Sequence, residues 1–272
     1  MQKVKLIIHN AVNAISKTPK DFLNMKIRYF FFIGFVALFL QCSKDSGTDT
    51  ASYTSTGQGG SLARFCIAGN YLYTVDAQYL KVYDISNGQQ PVLKNNTAIG
   101  FEIETIYPFG DKLFIGSTSV VYIFSIADPQ HPTQLGTAIS PNVIRRCDPV
   151  VAKDTVAFAT LRTNGACGGQ SSILAVFDIK DVTQPVQKAT FQLTEPYGLG
   201  YADSVLYVCD AGLKVFNIAN PYQPVLIKIL NNSSHFKDVI CYQNTLICWV
   251  ADGAILYDIT DRVNPVYLAK II

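Results

Sequence analysis

The 272-residue sequence predicts an all-β chain folded as a single five-bladed β-propeller with four-stranded antiparallel blades. Three landmarks recur five times in one register, the mark of a repeat architecture. A strand-ending triplet occurs as Asp84-Ile85-Ser86, Ser125-Ile126-Ala127, Asp178-Ile179-Lys180, Asn217-Ile218-Ala219 and Asp258-Ile259-Thr260. Seven residues after the first residue of each stands a proline: Pro91, Pro132, Pro185, Pro224 and Pro265. Fourteen residues before it lies the second member of a turn pair, in Gly69-Asn70, Gly110-Asp111, Ala202-Asp203 and Gln243-Asn244. In the third repeat the pair Lys153-Asp154 lies twenty-four residues before Asp178, an insertion of ten.

Each element of the unit has a physical reason. An apolar run such as Phe65-Cys66-Ile67-Ala68 leads into the turn pair, and Tyr71-Leu72-Tyr73-Thr74-Val75 and Leu80-Lys81-Val82-Tyr83 follow. Runs of four to six residues rich in Val, Ile, Tyr, Phe and Leu favour strands over helices. Gly-Asn and Gly-Asp between two such runs are hairpin residues, because both tolerate positive φ. The triplet and its proline predict an Asx-type turn that releases an extended fourth strand, such as Pro224-Val225-Leu226-Ile227. Four strands in about forty residues is the size of one propeller blade.

Composition agrees with buried sheets: charged residues are 15% and aromatics 12% of the chain. The net charge of +2 is carried by the N-terminus, where six basic residues (Lys3, Lys5, Lys17, Lys20, Lys26, Arg28) face Asp21. Removing these from the 22 basic and 20 acidic residues leaves 16 and 19 in residues 43–272, a net −3 with no basic stripe, which argues against nucleic acid.

The N-terminus reads as an address. Met25-Lys26-Ile27-Arg28 supplies a start and a positive region, and Tyr29 to Leu40 is an apolar run of twelve. That is short of the ~20 residues a membrane span needs and suits a signal peptide. The run ends at Cys42 and so resembles the lipobox of bacterial lipoproteins, which implies diacylation of Cys42; Gln41 departs from the small residue usual there. An uncleaved anchor or an ordinary signal peptide is the alternative. The expected organisation is an upstream extension over 1–24, a signal peptide over 25–42, a flexible tether over 43–58 and the propeller over 59–272.

Units such as Leu206-Tyr207-Val208-Cys209-Asp210-Ala211-Gly212-Leu213-Lys214-Val215-Phe216-Asn217-Ile218 resemble the LVIVD repeat of bacterial surface proteins, and the chain is similar to LVIVD-repeat β-propeller lipoproteins of the Bacteroidetes. The resemblance rests on Gly59-Gly60-Ser61-Leu62-Ala63-Arg64-Phe65, Ile103-Glu104-Thr105-Ile106, Arg146-Cys147-Asp148-Pro149-Val150-Val151, Thr160-Leu161-Arg162 with Cys167-Gly168-Gly169, and Pro196-Tyr197-Gly198-Leu199-Gly200. It implies the fold and a lipid-anchored place in the cell envelope, at the outer membrane; it implies no established activity. Tyr197 departs from the histidine frequent there.

Cys147 lies in the loop entering blade three and Cys167 in the inserted loop, two loop types that emerge on one face, so a Cys147–Cys167 disulfide is expected. Cys66, Cys209, Cys241 and Cys248 occupy strand positions and read as buried free thiols. With no C-x-x-C spacing, neither a metal site nor any other cofactor is expected.

Loops entering the innermost strands converge at the mouth of the central channel. They hold Arg64; Glu102 and Glu104; Arg145, Arg146 and Asp148; Glu195 and Tyr197; and His235, Lys237 and Asp238. The expected ligand-binding set is Arg64, Glu104, Arg146, Asp148, Glu195, Tyr197 and Lys237. Two alternatives set no ligand there: exposed loops carry charge anyway, and these charges could simply staple neighbouring blades. The expected function is a surface-tethered, non-catalytic binding or scaffolding module, monomeric, for a protein or glycan partner. The alternative is a carbohydrate-active hydrolase or lyase using Glu104, Asp148 and Glu195, since glycoside cleavage needs two opposed carboxyl groups. No catalytic motif is present, so the expectation is that the chain is not an enzyme.

Overall fold

A computed structural model of the chain describes residues 59–141, 149–163, 171–230 and 235–272. Each repeat forms one antiparallel sheet whose four strands pair in chain order. Blade one holds β1 (Phe65–Ala68), β2 (Tyr71–Val75), β3 (Tyr79–Asp84) and β4 (Val92–Ala98). Blade two holds β5 (Ile103–Phe109), β6 (Lys112–Ser117), β7 (Val121–Ser125) and β8 (Thr133–Ala138). Blade three holds β9 (Val150–Lys153), β10 (Val156–Leu161), β11 (Ser172–Asp178) and β12 (Val186–Leu193). Blade four holds β13 (Leu199–Ala202), β14 (Val205–Asp210), β15 (Gly212–Asn217) and β16 (Val225–Leu230). Blade five holds β17 (Phe236–Tyr242), β18 (Thr245–Val250), β19 (Gly253–Asp258) and β20 (Val266–Ile271). The described residues form a five-bladed β-propeller and contain no helix.

The Asx turn is realised in all five blades. The side chains of Asp84, Ser125, Asp178, Asn217 and Asp258 accept the backbone N–H two residues on, at 2.7–3.2 Å. The isoleucine of each triplet ties the loop back to the hairpin turn, donating its N–H to the carbonyl of Asn70, Asp111, Thr155, Ser204 or Asn244. A register shift between the third and fourth strands recurs at the same point in every blade and bends the outer strand.

The hairpin turns differ from the sequence reading in two blades. Strand ends place them at Asp154-Thr155 and Asp203-Ser204, one residue later than the pairs Lys153-Asp154 and Ala202-Asp203. The reason is conformational. The first turn residue takes positive φ in every blade, at Gly69, Gly110, Asp154, Asp203 and Gln243, and Asp tolerates that region better than Lys or Ala.

Strands alternate side chains between the two faces of each blade, and four apolar layers fill the spaces between successive blades. Tyr73, Val75 and Leu80 meet Ile103 and Ile106; Phe114 and Ile123 meet Val150 and Ile179. Phe158 and Val176 meet Leu199 and Ile218; Tyr207 and Cys209 meet Val239 and Ile259. Buried hydroxyls join the same neighbours: Tyr73 Oη donates to the Pro129 carbonyl (2.9 Å) and Tyr207 Oη to that of Arg262 (2.6 Å). Blade five takes its fourth strand, β20, from its own repeat, and among the described residues blades one and five share no strand.

Cys66, Cys209, Cys241 and Cys248 are free thiols, as their strand positions suggested, and burial pushes Cys66 and Cys241 up to about 12. The expected Cys147–Cys167 bridge and the lipidated Cys42 lie outside the described residues.

Candidate functional site

The face of the ring that carries the loops entering each blade is built around a strap, Gly60-Ser61-Leu62. Ser61 Oγ donates to Asp238 Oδ1 in blade five (3.0 Å) and accepts the Leu199 N–H of blade four (2.7 Å). The Leu62 N–H donates to Asp238 Oδ2 (3.0 Å). The chain then turns, with Ala63 N donating to the Gly60 carbonyl, and the Ala63 carbonyl accepts from Ile106 of blade two. The strap and the Ala63 that follows it thus touch blades five, four and two before the chain becomes β1. Gly60 and Gly198 make room for the Asp238 carboxylate: a Cβ at either would sit 2.0 Å from one of its oxygens.

Outside the strap lies a charged rim. Glu104 and Lys237 each occupy a bulge at the start of an innermost strand, with no residue opposite them. Such bulges re-aim side chains. Burial lifts the Glu104 carboxyl above its ordinary value, partly offset by the guanidinium groups of Arg64 and Arg162. Tyr197 is the centre of the rim. The Arg162 guanidinium lies 4.3 Å and Lys237 Nζ 3.7 Å from its ring centroid, so cations of blades three and five clasp an aromatic of blade four. Tyr197 Oη donates to Glu195 Oε1 (3.0 Å), and Thr160 Oγ1 of blade three donates to the Tyr197 carbonyl (2.5 Å).

The loop carrying Glu195 is held by the buried Asp210, which accepts the Thr194 and Glu195 N–H groups and pairs with Lys214 Nζ at 2.5 Å. Tyr107 of β5 and Tyr201 of β13 both pack against the apolar layer between blades three and four, and burial raises both hydroxyls above their ordinary value.

Of the expected set, Glu104, Glu195, Tyr197 and Lys237 line one rim with Arg64, whose charge reaches Glu104 while its side chain stays exposed. Arg146 and Asp148 lie outside the described residues. Arg162 falls outside the expected set because it stands on none of the loops that enter innermost strands. It follows β10, and loops between second and third strands emerge on the same face, so topology alone could have found it. The sequence sets Asp238 among the mouth charges, whereas it is buried beneath the strap. Among the described residues no group of His, Cys, Asp and Glu is arranged to hold a metal ion.

Residues 59–98, the strap and first blade, match the family model described as the LVIVD repeat, which supports the LVIVD resemblance read from the sequence. No curated protein matches the chain. Among solved structures, a protein from Lactobacillus plantarum is similar at 14% identity and a TM-score of 0.62, over 74% of this chain and 67% of that one. The periplasmic gluconolactonase of Pseudomonas aeruginosa is similar at 13% identity and a TM-score of 0.59, over 75% and 67%. Sqt1 of Saccharomyces cerevisiae is similar at 13% identity and a TM-score of 0.51, over 75% and 61%. These likenesses show the fold. The gluconolactonase also corrects the expectation that the chain is not an enzyme: the same fold carries catalysis, so the missing motifs are no ground for setting it aside.

Proposed function

We propose that this chain is a lipid-anchored protein of the bacterial cell envelope, held at the outer membrane through Cys42, whose strapped propeller face binds a protein or glycan ligand. The observation that carries the reading is the clasp at Tyr197, where side chains of three blades converge on one ring. Positively charged heads beside an aromatic are partly desolvated, so a ligand's acidic or hydroxyl groups meet donors that have lost part of their water shell. Glu104 and Glu195 supply acceptors on the same rim.

The test is a binding screen of the chain against envelope polysaccharides and peptides. Tyr197→Ala and Lys237→Ala should each weaken the best ligand by about tenfold or more, as expected of central polar contacts. Unchanged affinity in both variants would sink the site. Anchoring is tested separately: Cys42→Ser should move the protein out of the membrane fraction.

A second reading, a carbohydrate-active hydrolase or lyase, is favoured by the half-buried Glu104, whose raised carboxyl suits a general acid, with Glu195 on another blade as the second carboxylate. Turnover of any bound polysaccharide that vanishes in Glu104→Gln while binding persists would establish it.

A further inference from the structure

Five equivalent positions can be compared because each innermost strand pairs with the second strand in the same register around its turn. Phe65, Ile106, Val150, Leu199 and Val239 pair with Thr74, Ile115, Ala159, Val208 and Cys248. Each faces the preceding blade. Four of them are at most 1% exposed; Phe65 is 60% exposed. The positions facing the following blade tell the same story. Tyr73, Phe114, Phe158 and Tyr207 are fully buried, whereas Ile247 is part-exposed, and Trp249 beside it is 55% exposed. The triplet isoleucines Ile126, Ile179, Ile218 and Ile259 are buried under the preceding blade, while Ile85 is part-exposed.

Among the described residues, then, no apolar layer joins blade five to blade one. What joins them is polar: Asp238, on the face of β17 that shares its row with Trp249, receives Ser61 Oγ and the Leu62 N–H of the strap. We propose that the boundary between blades five and one is the line along which this ring opens, with Asp238 and the strap Gly60–Leu62 as its latch. The physical ground is the contrast of forces. An apolar layer is spread over many side chains and gives way only with the sheets themselves, whereas a latch of a few charge-assisted hydrogen bonds is lost in one step. Because Ser61 also holds the Leu199 N–H, release of the strap loosens the channel mouth together with the boundary.

Backbone hydrogen exchange of the full chain, read by mass spectrometry, tests this. Amides of β1 and β17 should exchange about tenfold or more faster than those of β9 and β13. Ser61→Ala and Asp238→Asn should accelerate β1, β17 and β18 by a further ten- to hundredfold, the size expected for losing a hydrogen bond to a carboxylate. Exchange in β9, β10 and β11 should stay unchanged. Equal protection of all five innermost strands in the unaltered chain would overturn the proposal, as would acceleration spread evenly over every blade. Should Asp238→Asn not fold, Ser61→Ala decides by the same criterion, since it removes one hydroxyl and leaves the carboxylate with its Leu62 and Val239 donors.

Discussion

Blade three and blade five are built from the same repeat, yet they obey different packing rules. In blade three, β10 and most of β11 are buried on both faces. In blade five, β18 alternates buried and open positions, with one face packed on blade four and the other only partly covered. The lesson is that a repeat's stability depends on the interfaces it makes with its neighbours as well as on its own sequence.

The largest expected effect sharpens that comparison. Phe158→Ala in blade three should cost about 3–5 kcal/mol, since a fully buried aromatic leaves a cavity. Ile247→Ala, its counterpart in blade five, should cost about 1 kcal/mol, because the side chain keeps part of its water contact in the folded state. Denaturant unfolding of both variants checks the ratio; equal losses would break the comparison.

Next in size is Gly198→Ala. The added Cβ would meet Asp238 at 2.0 Å from Oδ1 and 2.9 Å from its Cα, so backbone must move. A loss of about 1–3 kcal/mol is expected, read as a shift of the denaturation midpoint with an unchanged slope.

Protonation of Asp238 has a smaller effect. Burial pushes Asp238 up to about 6, opposed by hydrogen bonds from Leu62, Val239 and Ser61. Lys237 on the same strand, Cys209 on β14 and Cys248 on β18 are the titratable groups around it. The folded protein therefore binds this proton more tightly than the unfolded chain does. Its contribution to stability is complete below the ordinary aspartate value, near 3.8, and is lost as pH rises through about 6. Unfolding free energy measured between those limits should fall with pH in the unaltered protein and change less in Asp238→Asn; parallel profiles would refute the assignment.

Smallest is Trp249→Ala at the open boundary, expected to change stability by about 0.5 kcal/mol or less. A large loss would mean that this face is covered, and would close the boundary between blades five and one.

Much of the fold was legible in the sequence because its signals are local. An Asx turn binds two residues ahead, a hairpin pairs residues across two turn positions, and a proline sets its own φ; five repetitions of such short-range rules define five blades. The turns at Asp154 and Asp203 are ambiguous by one residue in the sequence, and only the positive φ of these two residues fixes them. The rim was legible in outline, since topology brings entering loops together: Glu104, Glu195, Tyr197 and Lys237 do share it. Arg162 stands on another loop type, between second and third strands, so the entering loops do not reveal it. The burial of Asp238 was hidden because a mouth aspartate and a latch aspartate look alike until Gly60 and Gly198 are seen against it.

By itself, then, the sequence determined the number of blades, their strand order and the side of the ring that carries charge, all consequences of contacts within about forty residues. Only the tertiary structure decided that Phe65 and Trp249 are exposed where their counterparts are buried, that a strap ties blades four and five, and that among the described residues hydrogen bonds and no apolar layer join blade five to blade one. The reason is that a side chain's type is written at its own position, but what covers it comes from a neighbouring blade, and the last meeting, of blade five with blade one, depends on the geometry accumulated around the whole ring.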